Sequence, residues 1–146
     1  MDTERRFGEG LAASMAAFAE RAQGTDSEQI ATDAVTLWRD IHVALSPIIG
    51  ARGVCALYQR SLHLARADFP WLGLVHATAL DAGEFGALYK ALSQQRSTVA
   101  AAAHNAVLAA FYGLLANLIG ESLTERLLSV VWDRTSGGSA VQGLES

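Results

Sequence analysis

TVAAAAHNAVLAAFYGLLANLIG, residues 98 to 120, contains no charged residue yet carries His104, Asn105 and Asn117. Wound as a helix at about 100° per residue, it gathers Val107, Phe111, Leu114, Leu115 and Leu118 on one side, with His104 at the edge. Ala102, Ala106, Ala109, Gly113 and Ala116 fall on the opposite side. The large face suits a core, and the small face lets another backbone come close, from the same chain or from a second copy. The stretch approaches the length that crosses a bilayer. Its two asparagines and histidine, and the amphipathic segments around it that need an apolar surface to cover, point instead to the central helix of an all-α bundle with no membrane span.

Those neighbouring segments follow in order. Leu11 to Ala22 carries Leu11, Met15 and Phe18 on one stripe and is expected to cover the bundle. Thr25 with Glu28 forms a capping box that opens a second helix, in which Ile30, Ala34, Leu37, Trp38, Ile41 and Leu45 recur at spacings of three and four. Ser46-Pro47 is expected to stop it, because proline disfavours helical geometry in the residue before it. From Ala51 to Ala67 a third helix buries Val54, Leu57, Tyr58, Ser61 and Ala65. WLGLVHATAL, residues 71 to 80, reads as a short helix or a packed connection.

Asp81 with Glu84 makes a second capping box before the stripe Phe85, Leu88 and Leu92. The polar cluster Ser93 to Thr98 leaves open whether residues 82 to 119 form one helix or two. Gly120 reads as a helix C-cap, and Ser122 with Glu125 as a third capping box, opening a helix with Leu123, Leu127, Val131 and Trp132. An antiparallel bundle of four main helices plus one or two short ones, spanning residues 1-134, fits this pattern. The Gly- and Ser-rich residues 135-146 read as a flexible C-terminal tail.

The composition bounds the function. The 146 residues fit one domain; 51% hydrophobic and 18% charged residues exclude a disordered chain, and the apolar excess is consistent with burial between subunits, as in a homodimer. A net charge of −4 argues against nucleic acid as a partner. The single Cys55 supports no disulfide framework and no cysteine zinc motif, and acids at Asp2 and Glu4 before a short apolar run do not make a secretory signal. A cytoplasmic protein is expected. Every basic residue except Lys90 is arginine and alanine is abundant, a bias associated with GC-rich bacterial genomes.

No histidine pair at metal-ligand spacing, phosphate-binding glycine loop or nucleophile elbow is present, so no metal, no cofactor and no catalytic residue is assigned. His63 lies on the polar side of the third helix with Arg66 one turn later, where a cation could steady a phosphoryl group on the imidazole. Arg52, Gln59 and Arg60 extend this side as a basic interaction stripe. His63-Leu64-Ala65-Arg66-Ala67, with Gly73 beyond, partly resembles the His-x-x-(Lys/Arg)-small segment of histidine-phosphotransfer domains, themselves small helical bundles. The resemblance covers about a dozen residues and departs at Ala65 and at Pro70, which shortens the helix. It implies His63 as phosphoacceptor and Arg66 as its electrostatic partner; a solvated basic face is the plainer reading.

His104 shares a face with Leu108, Phe111 and Leu115, so it is expected to be buried, poorly basic and in need of a hydrogen-bond partner. With His76 and Phe111 it could alternatively line a pocket for a small ligand or haem. His42 flanks the second helix's stripe, and Trp38, Trp71 and Trp132 read as core anchors or interface residues, Trp71 being the one expected to face a partner. The leading expectation is a non-enzymatic bacterial signalling or regulatory domain that binds another protein or itself. Phosphotransfer through His63 and ligand sensing near His104 are the alternatives.

Overall fold

A computed structural model describes residues 9–24, 26–78 and 85–132. These are all-α: α1 (Glu9–Gly24), α2 (Ser27–Ile49), α3 (Ala51–Ala65), α4 (Leu72–Thr78), α5 (Gly86–Ser93), α6 (Ser97–Ile119) and α7 (residues 121–132), with no strand among the described residues. Residues 133–146, including the expected tail, lie outside them.

The stripe that runs from Ile30 to Leu45 is wholly buried, joined by Ala31 and Val35. The start of α2 differs from expectation. Its N-cap is Asp26, whose carboxylate accepts the Gln29 N–H at 3.0 Å. A carboxylate satisfies an orphan amide and complements the positive end of the helix dipole. Thr25 lies outside the described residues. Nor does Ser46-Pro47 end the helix, which continues to Ile49 with Pro47 inside. Proline here removes one amide donor in a last turn that is otherwise held, since Gly50 donates its N–H to Ser46 O at 2.9 Å and Ser46 Oγ donates to His42 O at 2.6 Å. The true stop is Gly50, at φ +83°, where side chains are disfavoured and the chain turns directly into α3.

α3 buries Val54, Tyr58, Ser61, Leu62 and Ala65, with Leu57 half-buried. It ends at Ala65, two residues early, because the amides of Asp68 and Phe69 both turn back to Ala65 O at 3.1 Å. Residues 94–96 separate α5 from α6, so the segment after Phe85 is two helices. The Asp81–Glu84 box lies outside the described residues; the N-cap of α5 is Phe85, which makes no side-chain cap bond. The Ser122–Glu125 box is not formed. Gly120, at φ +92°, takes the position between α6 and α7, Ser122 lies within α7, and Glu125 accepts a hydrogen bond from Tyr112 OH instead.

α6 threads the centre. It buries Ala100, Ala101, Ala103, His104, Val107, Leu108, Phe111, Tyr112 and Leu115 against α1, α2 and α3. The large face is shorter than expected: Leu114 is half-buried and Leu118, on the last turn, is 61% exposed. The small face divides too. Ala106 and Ala116 pack against the core, whereas Ala102, Ala109 and Gly113 are exposed, and a Cβ on Gly113 would meet nothing within 4 Å. α1 runs antiparallel to α6: Ser97 Oγ donates to Ala22 O at 2.8 Å and Asn105 Nδ2 to Met15 O at 3.0 Å. α5 packs along α2, and Gly10 of α1 lies so close to Trp132 of α7 that any side chain there would overlap the indole.

Candidate functional site

Trp38, at the middle of α2, is where the aromatic residues converge. Its ring meets Phe111 of α6 at 5.0 Å and Tyr58 of α3 at 5.1 Å, both edge to face, and Phe85 at 6.4 Å. Such contacts position large apolar groups and add to their burial. An indole N–H in this setting needs an acceptor, and it donates to His104 Nε2 at 2.9 Å, with both residues fully buried. Phe18 of α1 closes the other side of the imidazole at a centroid distance of 4.4 Å.

This geometry sets the state of His104. With Nε2 accepting, the neutral ring carries its proton on Nδ1, which is buried without a hydrogen-bond partner. Burial, then the nearby Arg21 cation, lower its pKa from 6.5 to about 3. Arg21 itself lies over the Phe18 ring at 4.9 Å and contacts Asp33 at 3.4 Å. Burial, with a smaller effect from Cys55, pushes the Tyr58 phenol up and keeps it neutral. The expectation of a buried, poorly basic His104 therefore has a definite partner. Of the suggested pocket, His104 and Phe111 both pack on Trp38; the His76 side chain lies outside the described residues.

The basic side of α3 is arranged differently. His63 is half-buried in the last turn, and with Arg66, Leu64, Ala67 and Pro70 it lines one surface cavity of about 490 Å³. Arg52 and Arg60 are exposed and Gln59 is half-buried. Arg52 stands in the first turn, roughly 16 Å along the axis from His63 at helical rise. The structure thus brings His63 and Arg66 together at a cavity, and leaves Arg52 at the other end.

Two apolar grooves were not foreseen from the sequence. Between α2 and α7, Val43 and Val130, 71% and 56% exposed, flank Ala44, Leu127 and Val131, with Asp40 and Arg126 at the rim. Between α4 and α5, Leu74, 75% exposed, joins Val75, Ala87 and Ala91, with Lys90 and Gln94 beside them. Trp71 is half-buried and meets Phe69 at 6.3 Å; Leu74, one turn later, is the side chain that projects. The signal available for these grooves was Val43 and Val130 standing off the buried stripes of their helices, but which two helices adjoin is a tertiary fact.

Among the described residues no group of three His, Cys, Asp or Glu side chains could hold a metal ion. One helix among them, α6, is long and apolar enough to cross a membrane, and half of its most apolar window is buried within the bundle. No protein-family model, curated protein or solved structure matches the chain.

Proposed function

We propose that this chain is a non-enzymatic binding module of the bacterial cytoplasm, a helical bundle that acts in signalling or regulation by associating with itself or with another protein. The observation that carries the reading is the α2–α7 groove, where Val43 and Val130 hold apolar surface in solvent above Ala44, Leu127 and Val131. Apolar side chains grouped in this way gain most when a second surface covers them. Light scattering tests self-association: a dimer is expected that Val43→Glu and Val130→Glu return to monomer. A wild-type monomer at the highest attainable concentration rejects the homodimer.

A second reading has its own observation, the shared cavity of His63 and Arg66. There the imidazole would accept a phosphoryl group from a phosphodonor and the guanidinium would neutralise its charge. Incubation with a small phosphodonor or a cognate kinase is expected to give acid-labile phosphate that His63→Gln abolishes. Label that persists in His63→Gln, or none in the wild type, rejects it.

A further inference from the structure

We propose that α1 is an acid-operated strap: protonation of His104 releases α1 from α6 while α2, α3 and α6 remain packed. This goes beyond the binding reading and does not depend on it. The bond between Trp38 and His104 is where a proton would act. Nε2 is the only nitrogen of the neutral ring with a free lone pair, and the indole N–H occupies it. An arriving proton must take that lone pair, so an N–H would then face an N–H at the former 2.9 Å and the contact would break.

The imidazolium would next need solvent or an anion, and none of the helices packed on it offers an anion directly. α6 contains no charged residue. α2 presents the Trp38 indole, and its Asp33 is turned to Arg21. α3 contributes the neutral Tyr58 beyond Trp38, and α1 contributes Phe18 and the Arg21 cation, which repels a second positive charge. Water must therefore enter, and one wall has to move.

α1 is the wall that yields. α2, α3 and α6 are locked together by the Trp38 aromatic cluster, whereas α1 meets this cluster through the Phe18 ring against His104. The seam between α1 and α6 is also poorly satisfied: Ser14 Oγ, His104 Nδ1 and Asn105 Oδ1 are buried there without hydrogen-bond partners. Each such atom has lost its hydration while the seam is closed, and water restores it when the seam opens. Release uncovers the part of α6 from Ser97 to Asn105, which α1 covers at neutral pH.

Hydrogen exchange resolved by helix is the test. At about pH 5 protection factors in α1 are expected to be about 30-fold lower than at about pH 7.5 and well below those of α2 and α6, which exchange only through unfolding of the whole bundle. His104→Gln supplies an amide oxygen for the Trp38 indole without a titrating ring, so α1 protection in this variant is expected to be independent of pH. In the wild type, the His104 ring resonances in NMR must titrate with the same midpoint as α1 opening, a readout that needs no variant. Unchanged α1 protection, a loss that persists in His104→Gln, a different midpoint, or α1 protection no lower than that of α2 and α6 at about pH 5 would each overturn the proposal.

Discussion

α2 and α6 are each 23 residues long, each ends at a glycine of positive φ, and they meet at the Trp38–His104 hydrogen bond, yet they are built on opposite plans. α2 has a charged and polar outer face, exposing Glu28, Thr32, Thr36 and Arg39, and is capped by Asp26. α6 has no charge at all, exposes Ala102, Ala109, Gly113, Asn117 and Leu118, and begins after Arg96 without a side-chain cap. The stripe of α2 states which way it faces. α6 is apolar nearly all round, so its orientation comes from the helices that surround it, and from the one polar group that has to be matched.

Removing the residue that joins the two helices has the largest expected effect. Trp38→Ala deletes a fully buried indole and leaves His104 Nε2 without its donor. A large aromatic-to-alanine change costs about 3–5 kcal/mol, and the orphaned imidazole adds about 1–3 kcal/mol. Phe111→Ala, on α6 but without a hydrogen bond, should cost only the first part. Urea unfolding of the two variants gives the difference, and equal losses would show that the Trp38–His104 bond contributes no net stability.

Acid is expected to act next most strongly, through His104 of α6. His104 binds a proton less readily folded, at about 3, than at its ordinary 6.5. Below pH 6.5 the unfolded state therefore gains protons that the folded state refuses, so stability is complete above 6.5 and falls progressively down to about 3. The loss amounts to up to about 2 kcal/mol at about pH 5. Denaturant midpoints across this range should show it in the wild type and lack it in His104→Gln.

Asp26→Ala removes the side-chain cap that α2 has and α6 lacks and should cost about 1 kcal/mol, read as a lower midpoint with unchanged slope. The smallest effect has the opposite sign. Gly113→Ala on the outer face of α6 places a methyl group in open space within a helix and should stabilise the isolated chain by about 0.5–1 kcal/mol. If it instead weakens a dimer seen by light scattering, the small face of α6 is where a second copy comes close.

Much of the bundle was legible because helix periodicity is a local property. Ile30, Ala34, Leu37, Trp38, Ile41 and Leu45 could be placed in the core without knowing what covered them, and so could Phe85, Leu88 and Leu92. Helix ends were less legible, since alternatives one or two residues apart compete closely. Asp26 caps where Thr25 was expected, Gly50 stops the helix that Pro47 did not, and Gly120 stands before a helix in which Ser122 is already internal. Leu118 shows the limit of facing arguments: it has the right angle for the core, but its turn lies where little covers it.

The sequence by itself determined that residues 98 to 120 are an uncharged helix, that His104 lies on its apolar side and that a buried imidazole there needs a partner. Those conclusions rest on composition and on an angle per residue. Only the tertiary structure decided that the partner is Trp38, 66 residues away, that Phe18 closes the ring from α1, and that Gly113 faces open space. The reason is that hydrogen bonds and packing between helices depend on which surfaces are brought together, and the periodicity of one helix carries no record of its neighbour.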